Sequence, residues 1–235
     1  MPVARMKLSV VIPAYNEAAH LDAVIRRLHE ALKQAEPSFE IVVVNNGSVD
    51  ATPDVAQALA ASLPEVRVVH VEKNEGYGNG ILRGLEAAQG DVLGWMHADM
   101  QAEPEDVIRI YRKLVDEGYD VTKAVRVVRH EPVWRRVQSF VYNNLFRGLF
   151  GVSYRDINGT PKLKTRAFYE KAALESKDWF IDPEMMLKAH AEGVRVGEVE
   201  IVWKARAGGK SKVHLGTMFN FFKRMWKHRS TLNRS

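Results

Sequence analysis

Apolar and polar positions alternate between two periods along the first half of the chain. Leu8–Ala14 is an apolar run interrupted late by Pro13, and behind it Leu21, Val24, Ile25, Leu28 and Leu32 recur with helical spacing on one face. Glu40–Val44 is a second strand-like run, rich in β-branched residues, and Thr52-Pro53 predicts a helix start with Thr52 as N-cap and Pro53 at the first helical position. Val66–Val71 predicts a third strand, Asn79–Ala88 a helix, Asp91–Met96 a fourth strand, and Pro104–Val115 a helix closed at Gly118. Repeated strand–helix units imply an α/β fold whose mostly parallel sheet is flanked by helices on both faces. Ligands of such sheets bind beyond the carboxyl ends of the strands, so the residues just after each strand deserve inspection first.

Beyond Asp120 the rhythm changes. Val121–Val128 predicts a strand carrying Lys123 and Arg126, Trp134–Phe150 an aromatic-rich helix, Pro183–Ala191 a helix and Val194–Trp203 a strand. There is no internal repeat and no linker rich in Gly, Ser or Pro, so one continuous domain is expected.

The 235 residues, 46% hydrophobic and 27% charged, exclude a disordered or collagen-like chain. With no cysteine, disulfides, thiolate metal sites and cysteine nucleophiles are excluded together, which fits a reducing compartment. The opening apolar run is too short for a secretory signal, and no stretch of 18 apolar residues predicts a membrane span. Charge is lopsided: beyond Glu200 there is no acid, while nine Lys and Arg residues more than account for the net +5. Such a tail favours an anionic partner. Met218, Phe219, Phe221, Phe222, Met225 and Trp226 alternate there with Lys223, Arg224 and Lys227, predicting a basic amphipathic helix for a membrane surface.

Four strand ends carry polar clusters: Pro13-Ala14-Tyr15-Asn16-Glu17, Asn45-Asn46-Gly47-Ser48-Val49-Asp50, Asn74-Glu75-Gly76-Tyr77-Gly78 and His97-Ala98-Asp99-Met100-Gln101. Singly, each is an ordinary turn or cap. On one edge of one sheet they form a polar rim suited to a nucleotide. In this order they resemble the family 2 glycosyltransferases of the GT-A fold. Farther on, Arg135 and Ser139, then Asp156, Asn158, Gly159, Pro161 and Lys162, then Asp182 and Glu184, and finally Arg206, Gly209, Ser211 and Lys212 follow the order of one branch, the dolichyl- or polyprenyl-phosphate hexose synthases.

The resemblance implies a GT-A domain over 1–214, with a nucleotide-sugar half (1–120) and an acceptor half (121–214), followed by a basic membrane-proximal tail (215–235). It places Pro13, Tyr15 and Glu17 beside base and ribose, with Asn46 and Ser48 in the same pocket. Gly76 and Gly78 let backbone approach the nucleotide. A divalent cation, Mn2+ or Mg2+, would sit on His97, Asp99 and Gln101, which converge if their segment stays extended. Arg206, Ser211 and Lys212 would close over the phosphates from a loop hinged at Gly208-Gly209. Two departures stand out: Asn45-Asn46 replaces an acidic pair, and His97 replaces an Asp. Both remove negative charge from the pocket.

Lys123, Arg126, Arg129, Arg135 and Arg136 form a cationic cluster suited to a phosphate-headed acceptor, with Ser139 nearby. The expected reaction is inverting transfer of a hexose, from GDP-mannose ahead of UDP-glucose, to a polyprenyl or dolichyl phosphate. The expected setting is the cytoplasmic face of a membrane, with room for an anchoring subunit as partner. The first alternative is a hydroxyl acceptor with Asp182 or Glu184 as general base. The second is a weakly catalytic nucleotide-sugar-binding subunit. A nucleic-acid partner explains none of the strand-end clusters.

Overall fold

The computed structural model describes residues 7–35, 38–130 and 132–205. Expectations for Arg206, Ser211, Lys212, the Gly208-Gly209 hinge and the tail over 215–235 lie outside these residues. The elements, in order, are β1 (Leu8–Ala14), α1 (Ala18–Gln34), β2 (Phe39–Asn46), α2 (Thr52–Ser62), β3 (Val66–Val71), α3 (Tyr77–Ala87), β4 (Val92–Trp95), α4 (Pro104–Glu117), β5 (Val121–Arg129), α5 (Val133–Phe150), β6 (Lys162–Thr165), α6 (Arg166–Ala172), α7 (Ile181–Ala191) and β7 (Val196–Trp203).

All seven strands join one sheet in the order β3-β2-β1-β4-β6-β5-β7. β1 pairs in parallel with β2 and β4, and β2 with β3. β6 runs antiparallel to both β4 and β5, and β7 returns parallel to β5. The period of two along β1 feeds two cores: Val10 and Ile12 pack with α1, α2 and α4 on one face, and Val11 packs with α3, α6 and α7 on the other. A third cluster joins Tyr142 and Phe146 of α5 to Val152, Ile157, Phe180 and Met186.

The periodic elements fall where the sequence predicts them, and one local expectation changes. Thr52 is the first helical residue of α2, preceded by Ala51 as N-cap. Its hydroxyl instead accepts the Glu17 N–H at 2.9 Å, while Asp50 accepts the N–H groups of Ala18 and Thr52. The turn after β2 thus satisfies the orphan donors at the start of α1 as well as its own helix. The other finding is β6, whose residues Lys162, Leu163 and Lys164, two of them charged, are all fully buried between β4 and β5. Among the described residues no helix is long and apolar enough to cross a membrane.

Candidate active site

From β1 the chain steps outward to β2 and β3, then returns across β1 to β4, so the connections leaving the carboxyl ends of β1 and β4 diverge. That divergence opens the crevice at which α/β sheets bind ligands. A cleft of about 270 Å3 lies there, lined by Pro13, Ala14, Tyr15, Glu17, Asn46, Asn74, Gly76, Tyr77, His97, Ala98, Asp99 and Trp179. Three of the four strand-end clusters, those after β1, β3 and β4, enter it as expected, and the second contributes Asn46 alone.

Asn46 is almost wholly buried and donates its amide to Gly76 O at 2.9 Å. That bond fixes the amide orientation and leaves Asn46 Oδ1 as a buried acceptor with no partner among the described residues. It is an unmet demand for an N–H, of the kind a nucleobase edge supplies. Ser48 does not line the cleft; its hydroxyl accepts the Asn16 N–H at 3.1 Å and holds the β1 turn, where Asn16 takes φ 52°.

Gly76 and Gly78 do allow a close backbone approach, but to this chain's own backbone. A Cβ on Gly76 would stand 2.4 Å from Lys177 O, and one on Gly78 would stand 2.1 Å from Ser176 O. The start of α3 is thereby pressed against the segment leading into α7, with Asn79 N–H on Lys177 O at 2.8 Å. This contact brings Trp179 to the cleft, where it stacks on Tyr77 at 4.2 Å between ring centroids. Nothing in the sequence around Trp179 signals the role.

The triad after β4 does not stay extended. Met100 takes φ 57°, so the segment turns, and Gln101 swings away to donate to Lys204 O at 3.0 Å. Among the described residues no group of three His, Asp or Glu side chains is placed to hold a metal. His97 and Asp99 both line the cleft, and this pair could hold a divalent cation whose remaining ligands would come from a bound substrate. His97 stacks on Tyr77 and bonds Thr160 Oγ1 through Nδ1 at 3.0 Å. Burial, aided by Arg126 and Lys162 and opposed by Asp99 and Asp182, lowers its pKa and keeps the ring neutral at pH 7.

Beneath the cleft runs a buried ionic layer. Asp182 Oδ1 accepts Lys162 Nζ at 2.6 Å and Trp95 Nε1 at 3.3 Å. Glu184 accepts the N–H groups of Glu175 and Ser176, at 3.1 and 2.8 Å, capping the turn before α7. Arg126 grips Asp156 with a two-pronged pair at 2.7 and 2.6 Å. Burial alone would raise the Asp156 pKa, but the charge and hydrogen bonds of Arg126, with Lys123, hold it below the usual carboxylate range.

The expected cluster of five cations is therefore divided. Lys123 is fully buried against Arg155 O and Glu198, its pKa lowered by burial to about 8. Arg126 is neutralised by Asp156, and Arg129 donates to Ser139 Oγ at 2.8 Å. Arg135 and Arg136 occupy the first turn of α5.

Lys164 carries a prediction of its own. It is fully buried, its amine lies 4.2 Å from the centre of the Trp95 ring, and it has no hydrogen-bond partner among the described residues. Burial, reinforced by Lys162 and opposed by Asp182, depresses its pKa well below 10.5. Between the depressed folded value and the unfolded 10.5 the unfolded chain binds the extra proton, so stability rises with pH across that window. Lys164→Met is expected to stabilise the protein at pH 7 by about 1–3 kcal/mol and to flatten this rise, measured by urea unfolding from pH 6 to 10. Unchanged stability with an unchanged slope would mean that the amine is not a buried liability.

Residues 9–179 match the model of glycosyl transferase family 2. The glycosyltransferase AglD of Haloferax volcanii is 32% identical over 220 residues, which are 90% of this chain and 35% of that protein. The undecaprenyl-phosphate 4-deoxy-4-formamido-L-arabinose transferase of Pseudomonas aeruginosa is 32% identical over 216 residues, 91% of this chain and 62% of the relative. The chain thus spans between about a third and less than two thirds of the length of these relatives. Glucosyl-3-phosphoglycerate synthase from Mycobacterium tuberculosis superposes with a TM-score of 0.76 at 21% identity, over 96% of this chain and 80% of the other. The mannosyltransferase PcManGT from Pyrobaculum calidifontis gives 0.66 at 18%, over 89% of this chain and 59% of the other. The sheet order, the cleft at its switch point and the family match agree: this chain is a GT-A glycosyltransferase of family 2.

Proposed function

We propose that the protein transfers a hexose from a nucleotide sugar to a polyprenyl phosphate, with inversion at the anomeric carbon. The observation that carries this reading is the state of the two carboxylates available as general bases. Asp182 is committed to a buried lysine and an indole, and Glu184 to two backbone N–H groups. A hydroxyl acceptor needs a base to take its proton. A phosphate monoester, with a second pKa of about 6, is already largely a dianion at neutral pH and needs none. The curated relatives named for undecaprenyl-phosphate substrates support the same acceptor class.

In this reading a phosphate oxygen of the acceptor attacks the anomeric carbon as the bond from that carbon to the nucleoside diphosphate breaks. Asn46 receives the base through its unpartnered Oδ1, and Pro13, Tyr15 and Glu17 border the nucleoside. Asp99 and His97 would hold a divalent cation, which would offset negative charge on the departing diphosphate. Arg135 and the Arg129–Ser139 pair receive the acceptor phosphate, while Arg126, fixed by Asp156, positions the strand end beneath them. Solved neighbours with Mn2+ and UDP, or with Mn2+ and GDP-mannose, support a cation beside the donor diphosphate. We place GDP-mannose ahead of UDP-glucose as donor.

The test is a transfer assay with undecaprenyl phosphate and with a free saccharide as acceptors. Arg135→Ala is expected to lower transfer to the lipid phosphate about 100-fold, leaving binding of the nucleoside diphosphate unchanged. Transfer to the saccharide alone, insensitive to Arg135 and lost in Asp182→Asn despite intact folding, would establish the hydroxyl-acceptor reading instead.

A further inference from the structure

Trp179 is a large aromatic residue that the hydrophobic core does not use. Its neighbour Phe180 is almost fully buried in the third core cluster. Trp179 belongs to none of the three clusters, is partly exposed and lines the cleft. Its ring contacts are with two other cleft residues: Tyr77 at 4.2 Å with 16° between planes, and His97 at 6.4 Å. The backbone beneath the indole is held on both sides. Lys177 O accepts the Asn79 N–H at 2.8 Å, Lys177 Nζ reaches Glu75 at 2.7 Å, and the Asp178 carboxylate accepts the Phe180 N–H at 3.0 Å. An open ring on a backbone fixed this closely has already lost the freedom that binding would otherwise cost.

Position along the sheet edge selects what this ring meets. Asn46 ends β2, whereas His97 and Asp99 follow β4, on the other side of β1. In the nucleotide-sugar reading, on which this inference rests, the donor lies along that edge with its base at Asn46 and its diphosphate at His97 and Asp99. The anomeric carbon is one oxygen atom from the diphosphate, so the hexose falls within a ring's width of His97, where Tyr77 and Trp179 stand. The nearby carboxylate of Asp182 is already taken by Lys162 and Trp95. A pyranose carries its hydroxyls around its rim and C–H bonds on its faces, and an aromatic wall matches such a face. We infer that Trp179, backed by Tyr77, is the surface on which the transferred hexose stacks. It thereby determines donor specificity, admitting pyranoses with an unobstructed C–H face.

The test compares each nucleotide sugar with its own nucleoside diphosphate, so that the hexose is the only difference. Dissociation constants of GDP-mannose and GDP, and of UDP-glucose and UDP, are measured by calorimetry with Mn2+ for the full chain and its Trp179 variants. For the pair that the wild-type chain binds, Trp179→Ala is expected to weaken the nucleotide sugar about tenfold and to leave the diphosphate within about twofold. Trp179→Phe keeps an aromatic face and is expected to bind the nucleotide sugar within about threefold of wild type. Trp179→Leu fills space without such a face and carries the test if the alanine variant does not fold. It is expected to lose about fivefold in affinity for the nucleotide sugar alone. An equal loss for nucleotide sugar and diphosphate overturns the inference, because the ring then serves the nucleoside or only holds the turn. A leucine or alanine variant that binds both ligands like wild type also overturns it. A wild-type chain that binds neither pair is a separate failure: it removes the nucleotide-sugar reading, and this inference with it.

Discussion

Replacing Asp182 with alanine is expected to destabilise the protein by about 3–5 kcal/mol, a large share of the stability of a domain this size. The carboxylate is nearly inaccessible, holds the fully buried Lys162 at 2.6 Å and receives Trp95 Nε1. Its charge also partly offsets that of Lys164. Without it two buried amines stand side by side on one face of β6 without this counter-charge, and both are driven toward the neutral form. The deficit should therefore shrink as pH rises toward 10.5, since the unfolded chain then loses the protons that favour it. Equilibrium unfolding of Asp182→Ala and of the double variant Asp182→Leu/Lys162→Met separates the contributions. The double variant, which removes both charges, should regain most of the loss. A double variant no better than the single one would place the penalty in packing rather than in the stranded amine.

Asp99→Asn is the second large effect. Asp99 is the single carboxylate of the His97–Gln101 cluster and is buried where it lines the cleft. The substitution keeps shape and one acceptor oxygen but removes the charge that a divalent cation requires. A fall in kcat of at least about 100-fold is expected, together with loss of the rise in Tm that Mn2+ is expected to give the wild-type chain. His97→Ala should weaken that rise without abolishing it, because the imidazole is the second ligand in the proposed pair. If the rise in Tm survives Asp99→Asn intact, the cation binds elsewhere.

Much of this architecture was legible because it depends on periodicity. The strands β1 to β4 and the helices between them bury what their spacing says they must, and Gly118 ends α4 in the left-handed conformation that a glycine cap provides. What escaped was the use of polar residues inside. Lys162 and Lys164 look like solvent-facing residues in any window of sequence, and only the antiparallel insertion of β6 between β4 and β5 gives them an interior. The three-residue convergence of His97, Asp99 and Gln101 presumed an extended segment, and the positive φ of Met100 turned it. Asn46 was recognisable as a pocket residue from its place after β2. Ser48, two residues on, serves the neighbouring turn instead, a distinction that depends on which way one loop folds.

The contact between the two glycines and the carbonyls of Ser176 and Lys177 has a consequence for building hybrids of this enzyme. The start of α3 and the turn before α7 lie far apart in the chain, yet their backbones touch with no room for a methyl group between them. A chimera with a junction anywhere from the end of β4 to the start of α6 would ask two foreign backbones to match at that point. Exchanging segments between relatives therefore requires residues 76–79 and 174–180 to travel as a single cassette, although about a hundred residues of chain separate them.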